Sequence, residues 1–460
     1  MCIAALSLLT AASVSAEDRA EAKRPNILWI IAEDMGVELG CYGEKLVTTP
    51  NIDGLASGGI RYTNVIATAP VCSAARSALM TGMYQTTIGA HNHRSHRGDG
   101  YQLPTGVNVI TRYFRDAGYF TANIRQFDGK IRGTGKTDWN FAHEPKPFDS
   151  DDWQDLKSHQ PFFAQINFSE THRTFKKCPE HPIDPAEVTL PPYYPDHAVA
   201  RDDWAMYLET VNVLDQKVGA VLDRLEQDGL ADNTIVVFFS DHGRAHVRGK
   251  QWLYEGGVHI PLIVHFPDGR RAGEVNDDLI AHIDITATSM KLAGIERPEN
   301  FEARAIVGDD YTPREYVVSA RDRCDETVDH IRSVRTKRYK YIRNFDPERA
   351  YMQENAYKRR QYPVLTLLEQ LHAAGKLTPV QELFMAEQRP EEELYDLQAD
   401  PHEVHNLAGS AEHAKTLAQL RGALDAWIKR TGDKGQTPED EETVRQQSGG
   451  KKPAKKAAKP

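Results

Sequence analysis

Three segments of this chain are apolar almost from end to end. They are Asn26-Ile27-Leu28-Trp29-Ile30-Ile31-Ala32, Pro161 to Phe168 and Thr234 to Ser240. Each has the length of a strand, and none alternates polar with apolar residues. Such a strand is buried on both faces, as in the middle of a parallel sheet covered by helices. Between the second and third runs, Tyr207, Val211, Leu214, Val218, Val221, Leu222 and Leu225 follow spacings of three and four, and Gly229 comes after them. That is an amphipathic helix with a glycine stop. Pro261 to Phe266 reads as a further strand. Strands alternating with helices form βαβ units. The expected fold class is α/β, a large mainly parallel sheet flanked by helices.

After about residue 300 the pattern changes. Ile331 to Ile342 resembles a two-stranded hairpin turning near Thr336-Lys337, and helical patterns occupy roughly 363–388 and 411–430. A smaller C-terminal α+β domain is expected over 301–431, following an α/β domain over 25–300. From 432 to 460 the chain is polar and ends in a Lys/Ala/Pro run, which cannot bury enough apolar surface to order itself. Residues 1–16 read as a secretory signal peptide, with an apolar stretch ending at Val14-Ser15-Ala16. Export to the periplasm or beyond is the expected address. No later run is apolar for long enough to span a bilayer.

The net charge of −10 gives no support for a nucleic-acid partner. Of five cysteines, Cys2 lies in the leader. Cys41, Cys178 and Cys324 are odd in number and match no zinc spacing, so they read as free or buried thiols.

The chemistry sits where the apolar runs stop. The first ends in Glu33-Asp34, the third in Asp241-His242-Gly243, and the second leads into Thr171-His172. In a parallel sheet these ends share one edge, where open α/β sheets bind ligands. Glu33, Asp34 and Asp241 together concentrate negative charge that a cation must neutralise. Carboxylate oxygens suit Ca²⁺ or Mg²⁺, with His242 a less typical ligand for such an ion.

The segment Val71-Cys72-Ser73-Ala74-Ala75-Arg76 precedes an apolar run ending at Thr81-Gly82. If a helix starts here, Cys72 lies on its first turn and Arg76 on the same face one turn later. A nucleophile there meets unpaired N–H groups and the positive dipole end, which suits an anionic substrate.

Cys72 to Gly82 resembles the C-x-P/A-x-R signature of the type I sulfatases, with Ala74 where many members have Pro. Other segments continue the resemblance over most of residues 25–410. Gly135-Lys136-Thr137-Asp138 stands where the family has G-K-x-H. His172 follows the second strand. Arg248-Gly249-Lys250 to Pro261 resembles G-K-x-x-x-Y-E-G-G-x-x-x-P, and Glu393 to Pro401 resembles the family's C-terminal region. The chain departs from the pattern at Glu33, usually Asp, at His242, usually Asn, and at Asp138, usually His.

The resemblance implies an alkaline-phosphatase-like fold and one Ca²⁺ held by Glu33, Asp34, Asp241, His242 and residue 72. It implies that Cys72 is converted to formylglycine by a formylglycine-generating or anaerobic sulfatase-maturating enzyme. Covalent catalysis would follow through the hydrated aldehyde and a sulfo-enzyme intermediate. Arg76 and Lys136 would hold the diol and metal side, Lys250 the sulfate oxygens, and His172 would protonate the leaving group. The expected substrate is a sulfated carbohydrate, with a lean toward the heparan N-sulfatase (sulfamidase)-like branch. His91, His93, Arg321 and Arg323 are candidates for the sugar pocket, His91 or His93 also for replacing the histidine absent at 138. A phosphate or phosphonate monoester hydrolase of the same superfamily, and an inactive sulfated-glycan-binding protein, are the alternatives.

Overall fold

The computed structural model describes residues 24–96 and 99–447. The segment read as a signal peptide, Cys2 and the Lys/Ala/Pro run lie outside the described residues.

Eight strands form the main sheet: β1 (Asn26–Ala32), β2 (Gly59–Ile66), β3 (Phe120–Gln126), β4 (Ser150–Asp152), β5 (Phe162–Phe168), β6 (Thr234–Ser240), β7 (His259–His265) and β8 (Glu274–Ala281). Their order is β4-β3-β5-β1-β6-β7-β2-β8. All pairings are parallel except those of β7, which runs antiparallel to both β6 and β2. The three apolar runs therefore supply β1 and its two neighbours, and every residue of these three strands is buried. Trp29 shows why: its ring meets Phe163 and Phe239 edge-on, at 4.9 and 5.4 Å between centroids. Its indole N–H donates to Ser289 Oγ at 2.9 Å, so the polar end is satisfied inside the core.

Helices α1 (Pro50–Ser57), α2 (Cys72–Thr81), α3 (Ile110–Asp116), α4 (Ala198–Gln227), α5 (Glu255–Val258) and α6 (Asp284–Leu292) complete this unit. α4 contains the whole expected helical pattern. It begins earlier than the apolar spacing indicates, because His197 accepts from Val199 N as an N-cap. It ends at the expected stop, with Gly229 at φ 66°.

The second sheet is antiparallel, in the order β12-β11-β10-β9. It comprises β9 (Val317–Arg321), β10 (Ile331–Arg335), β11 (Tyr339–Asn344) and β12 (Glu392–Asp396). β10 and β11 are the expected hairpin, closed by Thr336 N donating to Tyr339 O at 2.8 Å. Around it lie α7 (Ala356–Gln361), α8 (Pro363–Ala373), α9 (Pro379–Glu382) and α10 (Ala414–Thr431). The 363–388 pattern splits into α8 and α9. The chain turns left-handed at Gly375, and Thr378 starts the next helix with a capping box. β9 is tied to the loop that precedes α2, with Ala320 N donating to Thr68 O and Ser319 Oγ to Ala67 O.

The expectation of an unstructured tail from 432 is corrected for its first part. Arg332, fully buried in the small sheet, needs counter-charge. Asp433 supplies it, with Oδ2 2.7 Å from Arg332 Nε. Glu439 reaches Arg323 at 2.5 Å, and α11 (Glu441–Gln447) follows.

Candidate active site

Strand register assembles the site. Ala32 pairs with Ser240 on one side and Phe168 on the other, so the residues just beyond β1, β6 and β5 emerge side by side. Asp34 is left-handed at φ 56°, a conformation Asp tolerates better than most residues. Its backbone N–H donates to Asp241 Oδ1 at 3.0 Å, which locks the two loops together. From β5, Thr171 Oγ1 donates to Glu33 O at 2.5 Å and fixes the turn that presents His172.

α2 starts at Cys72, as expected. Val71 at its N-cap gives no side-chain bond to the first turn, and Gly82 ends the helix at φ 65°. All ten residues of α2 are buried. Cys72 Sγ is 3.2 Å from His242 Nε2, 3.4 Å from Asp34 Oδ1 and 3.3 Å from Lys250 Nζ, which donates to it. Lys250 Nζ also donates to Asp34 Oδ2 at 2.7 Å. One turn along α2, Arg76 donates from Nε to Asp241 Oδ2 at 3.0 Å and from Nη1 to Asn167 Oδ1 at 2.5 Å.

Lys250 is aimed by a tight loop. Gly257 cannot carry a side chain, since a Cβ there would fall 2.1 Å from Trp252 O. Lys250 N donates to Arg244 O and Gln251 N to Pro70 O, which hooks the loop to the chain just before Cys72.

Lys136 and His172 complete the ring. Lys136 Nζ is 3.1 Å from Glu33 Oε2 and 3.6 Å from Asp138 Oδ2. Asp138 thus sits where the family pattern has histidine and pairs with the lysine. His172 Nε2 is 3.6 Å from Asp34 Oδ2 and 3.4 Å from Lys250 Nζ, and its side chain is 26% exposed. Its Nδ1 donates to Arg173 O at 2.6 Å, which leaves Nε2 facing the pocket.

The electrostatics follow from packing opposite charges away from water. Burial would raise the Asp34 pKa, but Lys250, His172 and His242 outweigh it and hold the carboxyl well below the usual range. Asp241 is likewise held down to about 2, by His242 and Arg76 against the cost of burial. Burial alone would neutralise His242, but Asp241, the Cys72 sulfur and Asp34 push it up to about 10.

Asp34, Cys72, Asp241 and His242 bring one ligand atom each within 4.8 Å of one another. This donor set fits a divalent cation. Two ionised carboxylates are fully buried together, and a bound cation would displace the proton that His242 carries in its absence, freeing the imidazole nitrogen to ligate. Glu33 lies just outside this group, engaged by Lys136 and by Arg76 Nη2 at 3.6 Å.

The four candidates for sugar contacts separate. His93 flanks the site, with Nδ1 2.8 Å from the Oγ of Ser73, the neighbour of Cys72. His91 lies farther away, its pKa lowered by burial and set among Asp322, Arg332 and Asp433. Arg323 bonds Glu439 and the carbonyls of His93 and Asp325. Arg321 stacks on Trp252, 4.8 Å from its ring centre, and pairs with Asp329 at 3.2 Å. Sequence reasoning missed Asn167, the second partner of Arg76. Its signal was a lone polar residue near the end of an otherwise apolar run. It also missed Tyr357, whose ring lies 5.4 Å from Lys250 Nζ; nothing in the sequence marks that residue.

The sequence model of the sulfatase family matches residues 25–295. The chain belongs to the sulfatase family. As a sulfatase it is a sulfuric ester hydrolase. A second model, described as N-sulphoglucosamine sulphohydrolase, C-terminal, matches residues 243–363. An ulvan-active sulfatase of Formosa agariphila is 34% identical over 467 residues, covering 91% of this chain and 77% of its own. Human N-sulphoglucosamine sulphohydrolase is 26% identical, covering 90% of this sulfatase and 91% of its own chain. The solved structure of a protein in complex with D-glucosamine-2-N,6-O-disulfate superposes with a TM-score of 0.65 at 19% identity. It covers 89% of this chain and 99% of its own, and shares the fold.

Proposed function

We propose that this sulfatase is exported and removes sulfate from a sulfated carbohydrate, with Cys72 as the precursor of formylglycine. The observation that carries this reading is the placement of Cys72 Sγ. It sits at a helix N-terminus, within 3.4 Å of an ionised carboxylate, an imidazole and an ammonium that converge from three other segments. The named relatives that act on ulvan and on N-sulphoglucosamine support a saccharide substrate. Among the described residues no helix is long and apolar enough to cross a membrane.

Asp34, Asp241 and His242 would hold the cation, read as Ca²⁺, which would lower the cost of gathering negative charge at residue 72. A formylglycine at that position would supply an oxygen nucleophile whose sulfated form can release sulfate and return to the aldehyde. A formylglycine-generating or anaerobic sulfatase-maturating enzyme would install it.

The chain's own residues do the rest. Lys250 would place an ammonium group where the nonbridging sulfate oxygens gain charge, and Lys136, paired with Glu33, would serve the diol and metal side. Arg76 fixes Asp241 and Asn167, so the acid end of β6 stays aligned with α2. His172 would give a proton from Nε2 to the departing oxygen or nitrogen of the sugar. Its 26% side-chain exposure supports a role on the side where a leaving group would depart.

The test is mass spectrometry of the tryptic peptide ending at Arg76, with sulfate release measured on the same preparation. An aldehyde at position 72 together with release of sulfate supports the reading. Unmodified Cys72 in protein that still releases sulfate overturns the formylglycine part. Preferential turnover of aryl phosphate overturns the sulfate part.

A further inference from the structure

α7 carries two side chains toward the pocket. Asn355 caps it, accepting from Lys358 N at 3.0 Å. Tyr357 lies 5.8 Å from the His172 ring, centre to centre, and Lys250 Nζ lies over its face. Lys358 is 8% exposed. Its Nζ sits 5.9 Å from the ring centres of both Trp252 and Tyr362, and it has no hydrogen-bond or carboxylate partner among the described residues. Burial, with Arg321 and Lys250 as further causes, holds its pKa down to about 7. Burying an ammonium without a counter-charge is costly. Arg321 is already paired with Asp329, so the positive charge left unmatched here is that of Lys358, beside Lys250.

The surrounding polar atoms agree. Tyr357 Oη, Tyr362 Oη, Trp252 Nε1 and Arg321 Nε are all buried without a hydrogen-bond partner. Each of them can donate. Native proteins satisfy most buried donors, so several unpartnered donors grouped around Lys358 leave this patch short of acceptors within the chain. The patch is continuous with the catalytic pocket through the Lys250–Tyr357 contact.

We propose that Lys358, backed by Arg321 and the Tyr357, Tyr362 and Trp252 donors, forms a subsite for a second oxyanion on the substrate. That group is a carboxylate or a further sulfate on the saccharide whose scissile sulfate sits at residue 72. This inference rests on the sulfatase reading of the Cys72 pocket. It makes the enzyme selective for polyanionic saccharides over neutral ones bearing a single sulfate.

The experiment compares wild type, Lys358→Met and Lys358→Arg as matured full-length enzyme. Substrates are an aryl sulfate, a neutral monosulfated disaccharide, a monosulfated disaccharide carrying a uronate carboxylate, and a disulfated disaccharide. Wild type should prefer one or both of the polyanionic disaccharides. Lys358→Met should lose at least about tenfold more kcat/KM on the preferred one than on the aryl sulfate, chiefly through KM, and Lys358→Arg should recover most of it. Whether the uronate or the disulfate responds identifies the anion. Equal losses on every substrate, or no wild-type preference for the second anion, overturn the subsite.

Calorimetric binding of the same disaccharides to Cys72→Ser protein, with and without Lys358→Met, separates the two readings. Lys358-dependent binding without any sulfate release from wild type keeps the subsite and fails the sulfatase reading. Sulfate release with binding indifferent to Lys358 does the reverse. Lys358→Met should also melt at a higher temperature than wild type, since it removes a buried unpaired charge. That readout guards against a folding defect.

Discussion

Lys250 and Asp34, 216 positions apart, meet as a buried ion pair of 2.7 Å. The pair also carries Cys72 against it, so one ammonium serves a carboxylate and a sulfur at once. Lys250→Ala should therefore act twice. Removing the nearest of the counter-charges of buried Asp34 should cost about 3 kcal/mol of stability, read from the urea midpoint. kcat/KM for any sulfate ester should fall by ~10²–10³ through loss of charge stabilisation. A variant of ordinary stability and turnover would remove Lys250 from both roles.

His172 should declare itself through the leaving group. A sugar hydroxyl or amine needs a proton as it departs, whereas 4-nitrophenolate does not. His172→Gln should lower kcat on a saccharide sulfate by ~10²–10⁴ while 4-nitrophenyl sulfate changes by less than about fivefold. Equal losses on both would mean that His172 positions groups rather than donating a proton.

Chelation should lower both melting temperature and activity, and Ca²⁺ should restore them. A cation held at a hundred times its dissociation constant stabilises by about 2.7 kcal/mol. Asp241→Asn, which removes one of two buried carboxylates from the donor set, should no longer respond to Ca²⁺ in a melting scan. An unchanged response would place the cation elsewhere.

The Arg332–Asp433 pair predicts an acid limb of stability. Burial raises the Asp433 pKa, but Arg332 outweighs it and the carboxyl is held below its ordinary value. A depressed acid contributes stability above its unfolded pKa of about 3.9, and that contribution is lost as pH falls through the folded value. Arg332→Met should cost about 3–5 kcal/mol at neutral pH and flatten the fall in unfolding free energy below about pH 5. Denaturant midpoints across that range check both statements.

The core of this protein was legible because burial on both faces writes itself as uninterrupted apolar residues. β1, β5 and β6 could be placed side by side, and with them the acids at their ends. That Cys72 and Arg76 share a helix face was legible from spacing, but their candidacy, like that of Lys250, came from resemblance to the sulfatase motifs. The rest depends on pairings that no local pattern records. Arg323 was expected to face sugar, yet Glu439 claims it from a segment that looked like a tail. Asp433 was hidden in the same way, because its role is fixed only by a buried arginine 101 positions earlier. Tyr357 and Lys358 lie on a six-residue helix with no apolar periodicity, and their importance comes entirely from what that helix packs against.

Cys72 is 3% exposed once Asp34, His242 and Lys250 have closed over it. Under the proposed function, an enzyme that oxidises this thiol must reach it before residues 241 to 250 arrive. Chemistry at position 72 is then a matter of timing in a nascent chain, with oxidation first and burial second. A chain that folds too early seals an unconverted thiol inside itself. Under that reading, whatever oxidises Cys72 would meet it as a linear segment, which the folded chain no longer presents.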